Sequence, residues 1–107
     1  MQSILLFVDE IYEDLELWYP KIRMDEAGFK TVIAGPEAGK TYSGKHGYPC
    51  KADVSFDSVQ PHSFSGLIIP GGYAPDKIRR HAKALEIVRH MNAVSYTHLT
   101  LPTNREV

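Results

Sequence analysis

Cysteine is nearly absent from this chain, since Cys50 is the only one among 107 residues. A single thiol excludes an internal disulfide and is typical of a reducing compartment, so we expect a cytoplasmic protein. Long hydrophobic runs are also missing, because no apolar segment approaches the roughly 20 residues that cross a bilayer. The opening stretch MQSILLF lacks a basic segment and a small-residue cleavage site, and it predicts a strand rather than a signal peptide.

Neither sign of charge is in excess. Twelve basic residues stand against thirteen acidic ones, which leaves a formal net charge of −1. This balance produces no overall field that would attract the chain to nucleic acid or to a membrane, so neither is a predicted partner. Hydrophobic residues make up 43% and charged residues 23%, which is ordinary for one small globular domain with a single core.

The first third of the chain predicts a strand, a helix and a second strand. A continuous apolar run at 3–8 is typical of a strand buried on both faces. An apolar stripe over 15–27 predicts a helix. Pro20 must lie in its first turn or kink it, so the regular part is expected to begin near residue 16 or 17. The run at 29–34 predicts a second strand, parallel to the first and reached by a right-handed crossover.

The middle of the chain is less regular. Glycine, proline and polar residues over 37–54 predict a hairpin that contains residues 45–48. Residues 55–65 are polar, with room for one helical turn. A third parallel strand is expected at 66–69 and a single long helix at 75–91.

The helix expected at 75–91 carries a run of basic side chains, mostly away from its apolar stripe. These are Lys77, Arg79, Arg80, Lys83 and Arg89. A solvated helix face is the common role of such a run, and we favour it over an anion site.

The stretch from Gly66 to Pro75 joins a buried strand, a glycine turn and a helix start. Pro70 has no N–H and ends the strand, and Gly71 with Gly72 lets the backbone turn sharply. Ligands of open α/β sheets bind outside the carboxyl ends of the strands, where N–H groups of a Gly-Gly turn can hold an oxyanion. A plain tight turn explains the same residues and is favoured on these residues alone.

Several motifs of this chain, in order and spacing, then resemble a known family. They read Glu13-Asp14-Leu15-Glu16-Leu17, Glu26-Ala27-Gly28-Phe29, Ala34-Gly35-Pro36, Gly44-Lys45-His46-Gly47-Tyr48 and Ile69-Pro70-Gly71-Gly72-Tyr73-Ala74-Pro75-Asp76. Together they resemble the PfpI-type intracellular cysteine peptidase and deglycase family, within the class I glutamine-amidotransferase-like superfamily. The resemblance covers residues 1–93, and the agreement of several motifs makes it far more specific than any one of them.

The resemblance implies an α/β fold, a flavodoxin-like three-layer sandwich around a parallel sheet. It also implies a nucleophilic cysteine, followed directly by histidine, on a strand-to-helix elbow just beyond residue 93. Members of the family usually form dimers or higher oligomers. Their activities include peptide hydrolysis and removal of glyoxal-type adducts from proteins, so a peptide or small-molecule substrate and no cofactor are expected.

The resemblance also assigns site residues. Glu16 matches the position whose carboxyl hydrogen-bonds the nucleophilic sulfur. Gly72, with Gly71 beside it, matches the oxyanion-hole turn. A second acidic position and two pocket-rim positions match Glu13, Lys45 and Tyr48. These residue types suit the chemistry, because a carboxyl can tune a thiolate while backbone N–H groups hold an oxyanion.

The chain departs from the family after residue 93. The expected Ala-Ile-Cys-His-Gly elbow is absent, and residues 94–107 instead resemble a translated sequencing-library adapter. We therefore predict a partial domain at 1–93 and an artefactual tail at 94–107, rather than a natural tail. No nucleophile is then present in this chain, because Cys50 lies in the hairpin and nothing near it in sequence would lower its pKa.

No metal site is predicted. The histidines, His46, His62, His81, His90 and His98, lack paired ligand spacing. Without the resemblance, Glu13 and Asp14 are better explained as acids at a helix start than as a carboxylate pair, and Glu16 could equally be an exposed acid there.

These observations predict a fragment of a PfpI-type cysteine hydrolase whose nucleophile is missing. With no further central strand, an apolar sheet edge would be uncovered, so we expect a poorly stable, aggregation-prone chain. One alternative is a non-catalytic flavodoxin-like binding or oligomerisation module. Another is a complete short protein in which a strand at 96–101 closes the sheet.

Overall fold

A computed structural model describes residues 2–93 and 99–100 of the chain. Its elements in chain order are β1 (Ser3–Phe7), α1 (Asp14–Glu26), β2 (Lys30–Gly35), β3 (Thr41–Ser43), β4 (Pro49–Lys51), β5 (Val54–Ser55), β6 (Gly66–Ile68), α2 (Ala74–Ile78), α3 (Ala82–Ala93) and β7 (Leu99–Thr100). Two short 3₁₀ turns, Phe56–Ser58 and Pro61–Ser63, lie between β5 and β6. In the described part of the chain, no helix combines the length and apolarity needed to cross a membrane.

Strand β1 lies at the centre of a five-stranded sheet with the order β5-β2-β1-β6-β7. All of its pairings are parallel, and β1 pairs with β2 over its whole length and with β6 from Ile4 to Leu6. The apolar side chains at 5–8 have no exposed surface, as expected for a strand covered on both faces. The three parallel strands predicted at 3–8, 29–34 and 66–69 are confirmed, with ends that differ by one residue.

Helices cover both faces of this sheet. Helix α1 connects β1 to β2 and contacts both, whereas α3 lies between β6 and β7 and contacts β6 and the two 3₁₀ turns. The two connections run in opposite directions along the sheet, so right-handed crossovers place these helices on opposite faces. This is the predicted flavodoxin-like α/β sandwich.

Helix α1 begins at Asp14, earlier than the start predicted near residue 16. Pro20 consequently lies inside the helix rather than in its first turn. The start is set by tertiary contacts, because the Asp14 carboxylate accepts two backbone hydrogen bonds from the loop after β3. At the other end, Gly28 takes a φ of 94°, and its N–H and that of Phe29 bond back to the last helical turn.

The hairpin predicted within 37–54 is confirmed. Strands β3 and β4 are antiparallel, and Tyr42 lies opposite Cys50. Both side chains are buried, so the hairpin adds to the core rather than extending into solvent. The short edge strand β5 was not predicted, since two residues carry too little periodicity to be recognised.

The single helix predicted at 75–91 is wrong. The segment is broken into α2 and α3, and hydrogen bonds around Arg80 and His81 tighten to the i−3 pattern. His81 lies at the break, where its ring contacts Phe56 at a centroid distance of 5.3 Å. Its Nε2 lies 3.6 Å from the carboxylate of Asp9. No proline or glycine marks this break, so the sequence pattern offered no local signal for it.

Strand β7 pairs in parallel with β6, with Leu99 opposite Leu67 and Thr100 opposite Ile68. A strand at 96–101 was one of the alternatives predicted from the sequence, but 94–98 and 101 lie outside the described residues. The division into a domain at 1–93 and an artefactual tail at 94–107 stays a prediction.

Candidate active site

The residues singled out by the sequence meet beyond the carboxyl ends of β1 and β6. Tyr12, in the loop after β1, forms isolated β-bridges to Gly44 of the hairpin and to Gly72 of the glycine turn. Three loops that are distant in sequence are therefore joined by main-chain contacts through one residue. This edge of the sheet is where open α/β folds bind their ligands.

The Glu16 side chain is hydrogen-bonded directly to the glycine turn. Its Oε1 accepts a hydrogen bond of 2.7 Å from the backbone N–H of Gly71. Burial raises the pKa of the Glu16 carboxyl above its ordinary value of 4.5, and this outweighs the lowering effect of the Gly71 bond. The second oxygen, Oε2, has no hydrogen-bond partner among the described residues. A half-buried carboxyl held by one oxygen can share a proton through the other.

The glycine turn has the conformation that two glycines permit. Gly72 takes a φ of 84°, and a Cβ at that position would lie 2.7 Å from the carbonyl oxygen of Ile11. The hydrogen bonds of the β-bridge between Gly72 and Tyr12 are donated by the backbone N–H groups of Glu13 and Tyr73. The N–H of Gly72 takes no part in this bridge. Gly72 is exposed and Gly71 is buried. Of the two predicted oxyanion donors, Gly71 is engaged by Glu16, and Gly72 is the one available to a ligand.

Asp14 organises the hairpin loop and was not recognised as a site residue from the sequence. It is almost fully buried, and its two oxygens accept hydrogen bonds from the backbone N–H groups of His46 at 2.8 Å and Tyr48 at 3.0 Å. Burial is the largest influence on the pKa of Asp14 and would raise it, but hydrogen bonds from the backbone N–H groups of His46, Tyr48 and Asp14 itself, with the nearby His46 ring, together outweigh burial and hold the pKa below its ordinary value. A Cβ on Gly44 would collide with the Asp14 carboxylate, so a glycine is required there.

Glu13 lies at the opening of this loop. Its carboxylate is 3.6 Å from Nζ of Lys45 and 3.5 Å from Nε2 of His46. Ligand atoms of Glu13, Asp14 and His46 lie within 4.8 Å of one another. This set is poorly suited to a metal ion, because the Asp14 oxygens already accept backbone hydrogen bonds and a lysine ammonium stands beside Glu13.

Tyr12 is a further residue that the sequence did not single out. Its buried hydroxyl donates to the carbonyl oxygen of Tyr48 at 2.7 Å and accepts from the Trp18 indole at 3.1 Å. Burial raises the pKa of Tyr12 to about 12, so the hydroxyl stays protonated and serves as a fixed donor. The Tyr48 side chain itself is exposed, as its predicted place on a pocket rim requires.

Cys50 is buried in β4. Burial raises the pKa of its thiol to about 12, with a further contribution from Asp53. Such a thiol is protonated at neutral pH and does not act as a nucleophile. The expectation that Cys50 is a bystander agrees with this environment.

Of two cavities on the described surface, the smaller one adjoins the glycine turn. The larger, of about 740 Å³, is lined by residues at the amino ends of β1 and β6 and by the end of α1, such as Gln2, Met24 and Gly66. It lies at the edge of the sheet opposite to Glu16. The smaller, of about 300 Å³, is lined by Ile11, Tyr73, Asp76, Lys77 and Arg80.

Known proteins resemble this chain in sequence. The model of the DJ-1/PfpI family matches residues 2–95. The deglycase PH1704 of Pyrococcus horikoshii and the deglycase PfpI of Pyrococcus furiosus are each 45% identical to it over 91 residues, which is 85% of this chain and 54% of each relative. The chain thus spans about half the length of the curated relatives it matches.

Solved structures resemble it in fold. A two-domain protein from Anabaena variabilis, with DJ-1/ThiJ/PfpI-like and ferritin-like domains, superposes with a TM-score of 0.87 at 28% identity, over 92% of this chain and 29% of that one. The oxidized DJ-1 of Toxoplasma gondii superposes with a TM-score of 0.82 at 21% identity, over 92% and 54% of the two chains. At 21% identity, the similarity to the Toxoplasma gondii protein supports the fold alone, and this fold is the one predicted from the sequence.

Proposed function

This chain belongs to the DJ-1/PfpI family, and from that premise we propose that it forms the first half of a thiol-dependent deglycase or hydrolase. The relatives at 45% identity are named deglycases. The substrate class that fits is a carbonyl or acyl centre on a small molecule or peptide. The cytoplasm is the proposed location, and no cofactor is proposed.

The proposed chemistry divides between this chain and the segment that follows it. A cysteine thiolate from that segment attacks the carbonyl carbon, an S–C bond forms, and the carbonyl π electrons move to oxygen. The N–H of Gly72 donates a hydrogen bond to the resulting oxyanion. For an acyl substrate, Glu16 takes up the thiol proton through Oε2 and passes it to the leaving amine, as the C=O bond re-forms, the carbon–nitrogen bond breaks and a thioester remains. Water then attacks the thioester carbon, the S–C bond breaks, and the acid is released with the thiol restored.

One observation carries this proposal, namely the Glu16 carboxyl beside the glycine turn. It is half-buried, its pKa is raised mainly by that burial, and the Gly71 N–H fixes its position at 2.7 Å. A raised carboxyl pKa brings the protonated form closer to neutral pH, which suits an acid that exchanges a proton with a thiolate.

The first experiment is to determine the source DNA across the codon for Ala93 by a long-read method without library adapters. We expect the frame to continue into an apolar strand that ends in Cys-His. The extended protein should then remove glyoxal-type adducts from a model peptide, and Glu16→Gln should lower kcat about a hundredfold. A frame that truly continues with Val-Ser-Tyr-Thr-His, or an extended protein without activity, would contradict the proposal.

A second candidate is a non-catalytic binding or oligomerisation module. The buried, protonated Cys50 favours it, since the described residues contain no reactive thiol. The same DNA determination separates the two proposals, because a continuing fold without a cysteine at the elbow would support the module.

Self-association is proposed for either function. Helix α1 exposes Leu15, Tyr19 and Ile22, which recur at i, i+4 and i+7 and therefore lie along one face. A second copy of the helix is the proposed occupant of this face.

A further inference from the structure

The cavity of about 300 Å³ lies directly beside the glycine turn. Two of its lining residues, Ile11 and Tyr73, flank Gly72, because the N–H of Tyr73 donates to the carbonyl oxygen of Ile11 at 2.9 Å. The same carbonyl oxygen is the closest atom to the position of a Cβ on Gly72. A ligand whose reacting atom lies at the Gly72 N–H therefore has this cavity within reach of its neighbouring atoms.

The cavity wall includes a strained residue. Ile11 has a φ of 60°, which is rare for a β-branched side chain, and it is the only described residue other than glycine with a positive φ. Its N–H donates to Ser43 and its carbonyl accepts from Tyr73, so hydrogen bonds on both sides hold the conformation. The result is an exposed apolar side chain at the cavity rim. Such strain is found disproportionately at ligand sites.

The side chains that line the cavity carry more unpaired positive charge than unpaired negative charge. Lys77 and Arg80 line it, and neither has an ion-pair partner within the described ranges 2–93 and 99–100. The one acidic lining residue, Asp76, is paired at 3.0 Å with Arg79, which follows directly after α2. The cavity therefore offers two unneutralised cations, although the sequence pattern alone favoured a solvated face for this basic run.

We propose that this cavity binds a carboxylate carried by the substrate, with Arg80 and Lys77 as its ligands and the Tyr73 ring beside it. The guanidinium fork of arginine matches the two oxygens of a carboxylate, and an exposed aromatic ring accommodates an apolar neighbour. The inference deepens the proposed function, since it adds an anionic group next to the reacting carbonyl. The carboxylate can belong to a small acid or to the free carboxyl end of a peptide.

Ligand-observed saturation-transfer NMR on the 107-residue chain tests this without any catalytic step. The probes are benzoate against benzamide for the small acid, and N-acetylphenylalanine against its amide for the peptide end. We expect at least one carboxylate to bind in preference to its amide and to bind less strongly as salt is added. The pair that discriminates identifies the source of the carboxylate.

Two double variants locate the binding. Lys77→Gln with Arg80→Gln should weaken carboxylate binding about tenfold. Lys51→Gln with Arg89→Gln removes the same charge from exposed positions outside the cavity and should leave binding unchanged. Equal binding of acid and amide, equal weakening by both variants, or no binding would overturn the inference. None of these outcomes would bear on deglycase activity, which is measured on the extended protein.

Discussion

Asp14 is the residue on which the hairpin side of the site depends. A single buried carboxylate satisfies two backbone N–H groups of the loop at 44–48 and leaves no room for a side chain on Gly44. The motif residues Lys45 and Tyr48 are thereby fixed through the main chain rather than through their own side chains. Asp14 thus positions the loop that carries Lys45 and Tyr48.

Asp14→Asn should lower the free energy of unfolding by about 2–3 kcal/mol, because an amide NH₂ would then face one of the two buried N–H donors. The effect should be greatest at neutral pH. A lowered native pKa stabilises the fold above the ordinary carboxyl range, and this contribution is lost as the pH falls through the native value. Urea denaturation measures it, with the exposed Asp57→Asn as a control expected to change stability by less than about 0.5 kcal/mol.

Gly72→Ala separates backbone strain from steric conflict. Gly72 and Gly39 share nearly the same φ, 84° and 81°, but a Cβ on Gly39 would meet no atom within 4 Å. Gly39→Ala should therefore cost about 1 kcal/mol, whereas Gly72→Ala should cost at least about 3 kcal/mol because the turn must move away from the backbone of the loop after β1. Equal urea midpoints for the two variants would show that the turn at Gly72 is not close-packed.

Glu16→Gln should stabilise the chain at neutral pH. Burial raises the native pKa of Glu16 above its ordinary value of 4.5, so the folded state binds more protons than the unfolded state in the window between the two values. Stability attributable to Glu16 is complete below that window and falls as the pH rises through it. Gln keeps an acceptor for Gly71 and removes the ionisation.

The urea midpoints of wild type and Glu16→Gln should therefore coincide at acidic pH and diverge toward neutral pH. Glu26→Gln, on the exposed end of the same helix, serves as the matched control and should show no such divergence. A Glu16→Gln variant that is less stable than wild type at neutral pH would contradict the direction expected from a raised native pKa.

At the scale of elements, α1 has two distinct faces. Its first turn supplies Asp14 and Glu16 to the candidate site, while Leu15, Tyr19 and Ile22 are more than half exposed along another face. The apolar face contributes nothing to the core of one chain. A partner that covers it would also hold the site-forming end of the helix in place.

Tyr19→Lys should shift the chain from dimer to monomer in sedimentation velocity, because a charge would be buried in the paired helices. Tyr73→Lys is the matched control, since Tyr73 is exposed to nearly the same extent, 60% against 62%, but lies outside α1. A wild-type chain that sediments as a monomer, or an equal effect of both variants, would remove α1 as the interface.

At the scale of the whole molecule, the described sheet ends on β7. Among the described residues, β7 pairs with β6 at two positions, Leu99 with Leu67 and Thr100 with Ile68, which supplies few ladder hydrogen bonds at this edge. Exposed apolar edges of this kind recruit other chains. The expected consequence is a marginal, aggregation-prone protein.

A chain that ends at Ala93 should differ from the 107-residue chain by less than about 0.5 kcal/mol in unfolding free energy, and both should scatter light on standing. Urea denaturation at low protein concentration and static light scattering measure the two quantities. A large loss of stability on deletion would show that residues 94–107 belong to the domain. A soluble monomer with a cooperative thermal transition would contradict the expected aggregation.

Local patterns in the sequence were sufficient for the elements that have strong periodicity. The apolar runs of β1, β2 and β6, the hairpin glycines and the end of β6 before Pro70 each express a local preference, and the structure agrees with them. The motifs around Glu16 and Gly72 likewise singled out two candidate site residues, and Glu16 accepts a hydrogen bond from Gly71, the neighbour of Gly72. These features follow from residues that are near one another in sequence.

Contacts between distant segments decided the rest. The break between α2 and α3 follows from the position of His81 against Phe56 and Asp9, and the early start of α1 follows from the bonds that Asp14 makes to the hairpin loop. Lys77 and Arg80, the cations that line the cavity, differ from the neighbouring Arg79 because Arg79 forms an ion pair with Asp76. No single-sequence pattern encodes such pairings, because their energy depends on groups that only the folded chain brings together.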